Sequence, residues 1–508
     1  MSDPARGYVL DEPYTARYFD IQSPARIGYS IRCAGFDRPE PPQDFRYAEL
    51  GCGNGATLAM LAALHPAASF LGIDLNPAHI AQAEALARAA GLRNVAFVEA
   101  DFARAAAMPW GAFDYVTAHG VYAWVDAAVR SQMFDFIGRH LAADGTAFVS
   151  YNALPGWAGK EPLWRLLDRH IAGMPGGSLQ RVDEGLRFLE FLRGAAVPYF
   201  AENPAAAAHL DYLRDEDRRY VAHEFCNRHF APVYCEQAFA DARSRGLTFV
   251  AQAETRPNLA VERAPAACLD YLAGVPDFEA REVMASLLRN DAFRTDLYVR
   301  RLPAPLEIER TPLWDRVFTT LVPLRDIGAE LRCGSRVLAR AAPIVDALLD
   351  ACVEGTRTLR QLAAAPGLVR YSPRAVIETA QLLELSQCFG FLGQPAPAQT
   401  GGSGPWRLAS PAFGILLESR LRDNGFGHLA APGLGSAIRL GVLESLAVLC
   451  LEQESPGNAA HDLADRLNRD WPELLAFRVD AEWARRYLDD FVSQWDPLLR
   501  KLGTIVDD

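Results

Sequence analysis

Residues 47–61 read YAELGCGNGATLAML, and this stretch predicts how the first part of the chain folds. A short apolar run ends in an acid and a leucine, three alternate glycines follow at Gly51, Gly53 and Gly55, and a helical pattern then begins. Glycine tolerates a positive φ and lets a ligand approach the main chain closely. The free N–H groups at the start of the helix would face that ligand. The stretch therefore predicts a strand, a ligand-binding turn and a helix.

A glycine turn of this kind does not by itself identify the ligand. With Ala56 in the third small position, the same residues also satisfy the dinucleotide-binding pattern. The choice between a dinucleotide and another nucleotide therefore depends on the residues that follow the turn.

Strand and helix patterns alternate along this part of the chain. Strands are predicted at 46–51, 69–74, 95–99, 113–118 and 146–152, and helices at 56–64, 77–90 and 127–141. Such alternation with short connections predicts a parallel, doubly wound α/β sheet of the Rossmann-like kind. Ligands of these sheets bind outside the carboxyl ends of the strands, where Glu49 to Gly55, Asp74, Asp101, His119 and Tyr151-Asn152 would lie.

Three acids at neighbouring strand ends indicate which nucleotide binds. Asp74 can accept hydrogen bonds from two ribose hydroxyls, and Asp101 can accept one from an adenine amine whose ring lies against Phe102. Glu49, just before the glycines, suits the α-ammonium of an amino acid. Together they describe a nucleoside with an aminoacyl tail, which is S-adenosylmethionine rather than NAD. The predicted cofactor-binding residues are Glu49, Gly51, Gly53, Asn54, Gly55, Asp74, Leu75, Asp101, Phe102 and His119.

The composition of the chain excludes several classes of protein. At 508 residues the chain is too long for one core, so about two to four domains are expected. A net charge of −12 disfavours nucleic acid as a partner, because clustered Lys and Arg are needed to bind phosphates. No apolar run reaches the about 18 residues of a membrane span, and residues 1–7 lack signal-peptide character. Nine cysteines without a Cys-x-x-Cys pair predict reduced thiols in a cytoplasmic protein.

Residues 49–55, ELGCGNG, resemble motif I of the class I S-adenosylmethionine-dependent methyltransferases. A narrower resemblance extends over most of the chain. Residues 118–125, 149–157, 220–225 and 289–294 are similar to blocks of the bacterial methyltransferases that carry a methyltransferase regulatory domain, among them the rickettsial protein lysine methyltransferases. The resemblance implies a methyl-transferring enzyme whose acceptor is a lysine side chain of a protein.

Aromatic and polar residues around the strand ends are candidates for the acceptor side of the site. Methyl transfer to an amine needs a neutral nitrogen, which an apolar aromatic site favours by desolvation. Aromatic rings would also attract methylammonium products, while tyrosine hydroxyls and an amide would orient the amine. The predicted catalytic residues are Tyr14, His119, Tyr122, Tyr151 and Asn152, and the predicted substrate-binding residues are Trp124 and Trp157. Both tryptophans could instead be packing residues, and His119 a hydrogen-bonded scaffold rather than a base.

Two short sequences depart from familiar patterns. After the fourth predicted strand the chain has His119-Gly-Val-Tyr122 in place of the Asn/Asp-Pro-Pro-Tyr/Phe block of many amine methyltransferases. Lysine specificity therefore rests on the resemblance alone. His223-Glu224 begins a metalloprotease-like pattern, but the position that needs a second histidine holds Asn227, so no metal site is predicted.

Four domains are predicted. Residues 1–157 would bind S-adenosylmethionine beneath an N-terminal lid, 158–305 would form a helical regulatory domain, 306–400 a winged-helix-like module, and 401–508 a C-terminal helical domain. Acids on the helix that would read DNA argue against that role, so we favour a module for protein interaction or homodimer formation.

The favoured hypothesis is an S-adenosylmethionine-dependent methyltransferase of a bacterium that methylates protein lysine. A small-molecule N- or O-methyltransferase and a catalytically inactive cofactor-binding scaffold are the alternatives. An NAD(P) oxidoreductase is disfavoured by Asp101 and by the absence of a clear hydride-transfer constellation.

Overall fold

A seven-stranded sheet lies at the centre of the N-terminal half of the chain. The computed structural model describes residues 8–9, 11–38, 40–307, 310–353, 357–393, 406–424, 426–452 and 454–506. The strand order is β3-β2-β1-β4-β5-β7-β6. Its first elements are α1 (Pro24–Cys33), β1 (Arg46–Leu50), α2 (Ala56–Leu64), β2 (Ser69–Asp74), α3 (Pro77–Ala89), β3 (Val95–Glu99), α4 (Phe102–Ala107), β4 (Phe113–Ala118), α5 (Ala127–His140) and β5 (Leu141–Asn152). Strands β1 to β5 run parallel. The predicted Rossmann-like α/β fold is confirmed.

The sheet does not end with β5. Strand β6 (Thr248–Gln252) and strand β7 (Phe293–Val299) complete it, and β7 runs antiparallel between β5 and β6. The predicted domain boundary at residue 157 is therefore wrong, because it separates these two strands from their sheet. The boundary was misplaced because about a hundred residues of helix lie between β5 and β6, which ends the simple alternation.

Helices fill both insertions into the sheet. Between β5 and β6 lie α6 (Glu161–Ile171), α7 (Ser178–Gly194), α8 (Pro198–Glu202), α9 (Pro204–Asp215), α10 (Arg218–Phe225) and α11 (Cys235–Arg243). Between β6 and β7 lie α12 (Leu269–Ala273) and α13 (Phe278–Arg289). Apolar residues of α6, α7, α9 and α10 share one core with β4, β5 and α5, so the regulatory part packs directly on the sheet.

A small unit follows the sheet. It contains β8 (Val317–Thr320), β9 (Glu330–Cys333), β10 (Arg336–Ala339), α14 (Pro343–Val353), α15 (Leu359–Ala363), α16 (Pro373–Glu384) and β11 (Phe389–Leu392). Strand β11 pairs antiparallel with β8, and β10 with β9. The predicted boundary at 400–401 lies outside the described residues. The role of this unit in interaction or homodimer formation stays a prediction.

The C-terminal part is mainly helical, as predicted. It contains β12 (Arg407–Leu408), α17 (Pro411–Asn424), β13 (Gly427–Ala431), β14 (Ser436–Leu440), α18 (Val442–Leu451), α19 (Pro456–Asp470), α20 (Ala481–Lys501) and β15 (Ile505–Val506). Strands β13 and β14 form a hairpin, and β12 pairs with β15.

Helix α2, which follows the glycine turn, is apolar on all sides. Its sequence, ATLAMLAAL, leaves no polar face for solvent, so it needs partners around its whole circumference. Leu58 and Leu61 pack with the sheet strands, while Met60 and Leu64 pack with Leu417 and other residues of the C-terminal part. The C-terminal part therefore covers the back of the helix that carries the predicted ligand turn.

Candidate active site

A cavity of about 960 Å³ lies at the carboxyl ends of the parallel strands. Ligand cavities of proteins typically enclose about 300–1,000 Å³, so this one can hold a nucleoside cofactor and part of a second molecule. One wall comes from the sheet domain, through the glycine turn and the ends of β2, β3 and β4. The other wall comes from the N-terminal segment and from α10 of the regulatory part.

The glycine turn requires glycine at two positions for steric reasons. Gly51 and Gly55 have φ values of 73° and 71°, which side-chain-bearing residues seldom adopt. A Cβ on Gly51 would lie 2.6 Å from Val121, and one on Gly55 would lie 2.8 Å from the Phe97 ring. By contrast, a Cβ on Gly53 would meet no atom within 4 Å, which leaves space for a ligand beside the main chain.

Asp74 at the end of β2 fixes the turn and faces the cavity. Its Oδ2 accepts a hydrogen bond from the Gly53 N–H at 2.9 Å, and its Oδ1 accepts one from the Asn76 N–H at 2.8 Å. A carboxylate has about four acceptor positions, so further sites remain for two ribose hydroxyls. His79 Nδ1 lies 3.3 Å from Asp74 Oδ1, while its Nε2 accepts from the Tyr14 N–H at 3.1 Å. Neutral His79 therefore carries its proton on Nδ1 and links Asp74 to the N-terminal segment.

Glu49 is a buried acid that lacks a partner for one oxygen. The residue is 4% exposed, and its Oε2 has no hydrogen-bond partner among the described residues. Burial, together with the charge of Asp74, raises the pKa of Glu49 to about 8. A bound ammonium group beside Glu49 would satisfy the oxygen and stabilise the carboxylate. The residues of this wall therefore fit the aminoacyl tail of S-adenosylmethionine.

Asp101, Phe102 and Leu75 form the part of the wall where a base would lie. Asp101 Oδ1 caps α4 by accepting from the Arg104 N–H at 2.7 Å, which leaves its other oxygen free to accept a further bond. Leu75 is 41% exposed, although it is apolar, and Phe102 is buried beside it in the cavity wall. Apolar surface of this kind suits the face of an adenine ring.

The N-terminal segment is held across both walls by hydrogen bonds. The Asn54 side chain donates to the Tyr14 carbonyl at 3.2 Å, and the His223 ring on α10 contacts the Glu12 carbonyl at 2.9 Å. The Phe19 ring lies 4.0 Å from the His119 ring. This segment thus joins the glycine turn to the regulatory part, in the position that a lid over the ligand would take.

Helix α10 supplies residues that were not predicted as site residues. Tyr220, His223 and Glu224 line the cavity, and Trp124 lies near them with its ring 4.2 Å from that of Phe230. The signal in the sequence was the block at 220–225, which was noted for its resemblance and not for a role in the site. Its position could not be deduced, because the chain returns to the cavity only after the long helical insertion.

His119 and Asn152 also lie in the cavity wall. The Ser150 hydroxyl accepts from the Gly120 N–H at 2.7 Å and lies 2.8 Å from His119 Nδ1, to which it can donate. Burial lowers the pKa of His119 to about 4, so the imidazole is neutral near pH 7. These contacts favour the alternative in which His119 is a scaffold.

Three residues predicted for the acceptor side lie elsewhere. The Tyr122 hydroxyl donates to Asp241 at 2.6 Å and the Tyr151 hydroxyl to Asp296 at 2.5 Å, and both tyrosines are fully buried outside the cavity wall. Trp157 packs against the Phe230 ring at 4.8 Å, also away from the cavity. Their positions correct the prediction: these side chains reach the core behind the wall, because strand and turn geometry directs alternate residues away from the cavity.

Beneath the site lies a buried ionic network. Arg294 of β7 contacts Glu282 at 2.9 Å, Asp291 at 3.1 Å and Asp296 at 2.8 Å, and Arg289 contacts both Glu282 and Asp291 at 2.8 Å. The block at 289–294 noted in the sequence is thus explained as a structural device that joins α13 to the sheet.

Acids dominate the cavity wall. Of the described residues that line it, Arg17 is the one arginine, no lysine is present, and six are carboxylates: Glu49, Asp74, Glu99, Asp101, Glu224 and Glu254. No group of His, Cys, Asp and Glu in the described part of the chain is arranged to hold a metal ion. In the same ranges, no helix has the length and apolar character needed to cross a bilayer.

Comparison with protein families identifies two parts of the chain. Residues 48–145 match the family described as "Methyltransferase domain", and residues 217–300 match the family described as "Predicted methyltransferase regulatory domain". The first match covers the glycine turn and the ends of β1 to β4. The second covers α10, α13 and the two antiparallel strands.

Similar proteins extend over nearly the whole chain. The uncharacterized protein sll1526 of Synechocystis is 26% identical over 505 residues, which cover 98% of this chain and 99% of that protein. The uncharacterized protein RP789 of Rickettsia prowazekii is 28% identical over 289 residues, or 56% of this chain and 51% of that protein. The solved structure of PKMT2 from Rickettsia typhi in complex with AdoHcy has a TM-score of 0.74 and 19% identity, and the match covers 97% of this chain and all of that one.

The chain is therefore an S-adenosylmethionine-dependent methyltransferase. Its catalytic domain is of class I and is followed by a methyltransferase regulatory domain, as the sequence predicted.

Proposed function

We propose that this methyltransferase transfers methyl groups to lysine side chains of a protein. The observation that carries the proposal is the charge of the cavity wall, where six carboxylates stand against the single guanidinium of Arg17 among the described residues. Such a wall favours an ammonium group, which stabilises the ionised form of Glu49 and Glu224, and it disfavours acceptors that carry phosphate or carboxylate. The sulfonium and ammonium of the cofactor account for part of this charge, and Glu224 and Glu254 remain for a cationic acceptor.

The likeness to a rickettsial protein lysine methyltransferase supports a protein as the acceptor. That likeness covers the regulatory part as well as the catalytic domain. In the proposal, the regulatory part admits the substrate, since α10 contributes the wall that faces the acceptor side of the cavity.

The cofactor would be held by the sheet-domain wall. The ammonium group would lie at Glu49, the ribose hydroxyls at Asp74, and the adenine between Leu75 and Phe102 with its amine at Asp101. The main chain of the glycine turn and the Asn54 side chain would surround the aminoacyl tail. These roles follow from the unsatisfied oxygen of Glu49 and from the free acceptor positions of the two aspartates.

Bound S-adenosylmethionine supplies a methyl group on a positively charged sulfur. The residues of the protein would hold the amine in line with that group, exclude water and favour the neutral amine. Tyr14, Trp124 and Asn152 line the cavity. In the proposal, the two aromatic rings enclose the acceptor side chain, and the Asn152 amide at the end of β5 orients it. His119 would support this wall rather than act as a base.

Labelled methyl transfer in a lysate tests the proposal. The purified protein is incubated with a bacterial lysate and methyl-tritiated S-adenosylmethionine, and the protein fraction is hydrolysed and separated by chromatography. We expect label in methylated lysine, and its loss from the macromolecular fraction after protease treatment. The Asp74→Ala variant is the control and should transfer no label.

Each other outcome favours a different function. Label in small molecules alone would favour a small-molecule N- or O-methyltransferase. Label in another amino acid would contradict lysine as the acceptor. Binding of the cofactor without any labelled product would favour a catalytically inactive scaffold.

We also propose that the protein works in a bacterial cytoplasm. All nine cysteines are free thiols, including five that are buried, which is the usual state in a reducing compartment. The two relatives named above come from bacteria. Fractionation of a bacterium that produces the tagged protein would test this setting, and recovery with the membrane fraction would contradict it.

A further inference from the structure

Glu224 lines the cavity from the regulatory part of the chain. It lies on α10, one residue after His223 and four after Tyr220, and all three residues contribute to the same wall. The carboxylates of Glu49 and Asp74 lie on the sheet-domain wall, where they fit the cofactor. Glu224 is thus an acid on the acceptor side of the site that the cofactor does not require.

Neither oxygen of Glu224 has a partner in the part of the chain that the structure describes. Among the described residues, no hydrogen bond or ion pair reaches this carboxylate, although many other carboxylates of the chain are paired. Arg17, which lines the same cavity, is engaged elsewhere: its Nη2 lies 3.0 Å from Glu216 Oε2, and its guanidinium lies 4.8 Å from the centre of the Tyr220 ring. A half-buried carboxylate that faces a cavity without an ion-pair partner is available to bind a cationic ligand.

Two tyrosines line the same cavity as this acid, and the charge of Glu224 contributes to the raised pKa of both Tyr14 and Tyr220. The Tyr14 and Tyr220 rings have centroids 6.3 Å apart, and the Tyr14 ring lies 5.1 Å from that of His223. Burial raises the pKa of Glu224 to about 8, with Arg17 opposing the shift and Glu216 adding to it. His223 contributes no positive charge near pH 7, because burial lowers its pKa to about 4. An ammonium group is thus the charge that this pocket lacks.

We propose that Glu224 binds the ammonium group of the acceptor lysine and takes one proton from it before methyl transfer. This inference rests on the proposed function, because it names the residue that would receive the acceptor. It also gives the regulatory part a chemical role in the reaction, in addition to a role in admitting the substrate.

The proposed step balances in atoms and charge. The lysine ammonium gives a proton to the Glu224 carboxylate and becomes a neutral amine with a free lone pair. That lone pair forms the new N–C bond to the methyl group while the C–S bond breaks, and its electron pair stays on sulfur. The products are a protonated methyl-lysine and S-adenosylhomocysteine, and the proton on Glu224 passes to solvent as the products leave.

A binding experiment tests Glu224 without knowledge of the protein acceptor. The full-length protein is saturated with S-adenosylhomocysteine and titrated with n-butylamine, which has the charged end of a lysine side chain, in a calorimeter. The variants are Glu224→Gln and Glu224→Asp, and the control is Glu202→Gln, the same change at an exposed residue of α8. We expect Glu224→Gln to weaken n-butylammonium binding at least about tenfold, Glu224→Asp to weaken it less, and the control to match the wild type.

The pH dependence supplies a second measurement. Because the pKa of Glu224 is about 8, its carboxylate form is lost as the pH falls through that value. Binding of n-butylammonium by the wild type should therefore strengthen between pH 6 and pH 9 by about tenfold, and Glu224→Gln should lose this dependence. The pH profile separates a charge effect of Glu224 from a change in packing.

The outcomes distinguish this proposal from the proposed function. Unchanged S-adenosylhomocysteine affinity in Glu224→Gln shows that the variant is folded; Glu224→Asp replaces it for the test if that affinity falls. Equal n-butylammonium binding in all variants, or none in the wild type, would overturn the role of Glu224 while leaving lysine methylation in the lysate assay untouched. Absence of methyl-lysine in that assay would overturn the proposed function, whatever the amine titration gives.

Discussion

Two groups of carboxylates in this protein have opposite surroundings. Glu282, Asp291 and Asp296 lie beside the guanidinium groups of Arg289 and Arg294, with contacts of 2.8–3.1 Å. Glu49 and Glu224 line the cavity, and no cation among the described residues contacts them. The first group lies behind the sheet-domain wall, and the second group faces the ligand space.

The difference shows how charge can separate a structural site from a binding site. Burial disfavours ionisation of Glu282, but Arg294 and Arg289 outweigh it and lower its pKa. For Asp296 burial still raises the pKa, although Arg294 opposes the shift. For Glu49 and Glu224 burial prevails, and the pKa of each rises to about 8. A buried acid that the chain itself neutralises has a structural role, whereas one left without a cation fits a cationic ligand. Four variants test this distinction.

The largest effect is expected from Arg294→Ala. Removal of this fully buried guanidinium leaves Glu282, Asp291 and Asp296 with less compensation, at a cost of about 3–5 kcal/mol in the free energy of unfolding. Urea unfolding followed by circular dichroism measures this loss. Arg88→Ala, which removes an exposed pair with Glu84, is the control and should cost less than about 1 kcal/mol. Equal effects of the two variants would contradict a structural role for the network.

Asp74→Ala should have the next largest effect, on ligand affinity rather than stability. The variant removes the proposed acceptor for the ribose hydroxyls and the acceptor of the Gly53 N–H hydrogen bond. We expect S-adenosylhomocysteine to bind at least about 100-fold more weakly in calorimetry, or about 3 kcal/mol. Asp144→Ala, at an exposed position of the same domain, should bind normally. Unchanged affinity of Asp74→Ala would show that the cofactor lies elsewhere.

Glu49→Gln should raise stability and lower affinity. In the ligand-free protein the raised pKa of Glu49 stabilises the fold at low pH, and that contribution is lost as the pH rises from about 4.5 to about 8. The variant should therefore be more stable than the wild type at pH 9 by about 1–3 kcal/mol and nearly equal at pH 5. Its affinity for S-adenosylhomocysteine should fall about tenfold, because an ammonium partner is lost.

Thermal unfolding at pH 5 and pH 9, with and without S-adenosylhomocysteine, checks the prediction for Glu49. The gain at pH 9 should disappear when the ligand is added, since the ligand stabilises the wild type more. A variant that is destabilised equally at both pH values would indicate that Glu49 is neutralised by the chain itself.

The smallest effect is expected from Tyr122→Phe. The hydroxyl of Tyr122 contacts Asp241 in the core, outside the cavity wall. Its loss should cost about 1 kcal/mol of stability and change kcat for methyl transfer by less than about twofold. The measurement is a steady-state assay with the labelled cofactor. A fall in kcat of tenfold or more would support the catalytic role that the sequence predicted for Tyr122.

The sequence was sufficient for the cofactor half of the molecule. Residues 47–61 combine a glycine turn with an apolar helix, and the order of strands after them follows the simple alternation of an α/β sheet. The acids Asp74 and Asp101 end consecutive strands, and parallel strand ends meet at one edge, so local patterns place both in the cavity wall. Local information is enough here because neighbours in space are close in sequence.

The cavity wall that the regulatory part contributes could not be placed in this way. Tyr220 and Glu224 reach the cavity through packing of helices that follow β5, and β6 and β7 return to the sheet after that insertion. Tyr151, by contrast, lies one residue before the end of the predicted fifth strand, yet its side chain points into the core. Its hydroxyl there donates a hydrogen bond to Asp296, which lies 145 residues later in the chain. Which face a residue takes at such a position depends on partners that are distant in the chain.

Because the C-terminal part packs on helix α2, mutations in that part can affect the glycine turn from a distance. Leu417 does not line the cavity, yet it belongs to the same core as Met60 and Leu64 of helix α2, whose first turn lines the cavity. Changes in the C-terminal part can therefore shift affinity for the cofactor without altering one residue of the cavity. The C-terminal part therefore supports the catalytic domain by packing on helix α2. A screen for loss of activity should find mutations there as well as around the cavity.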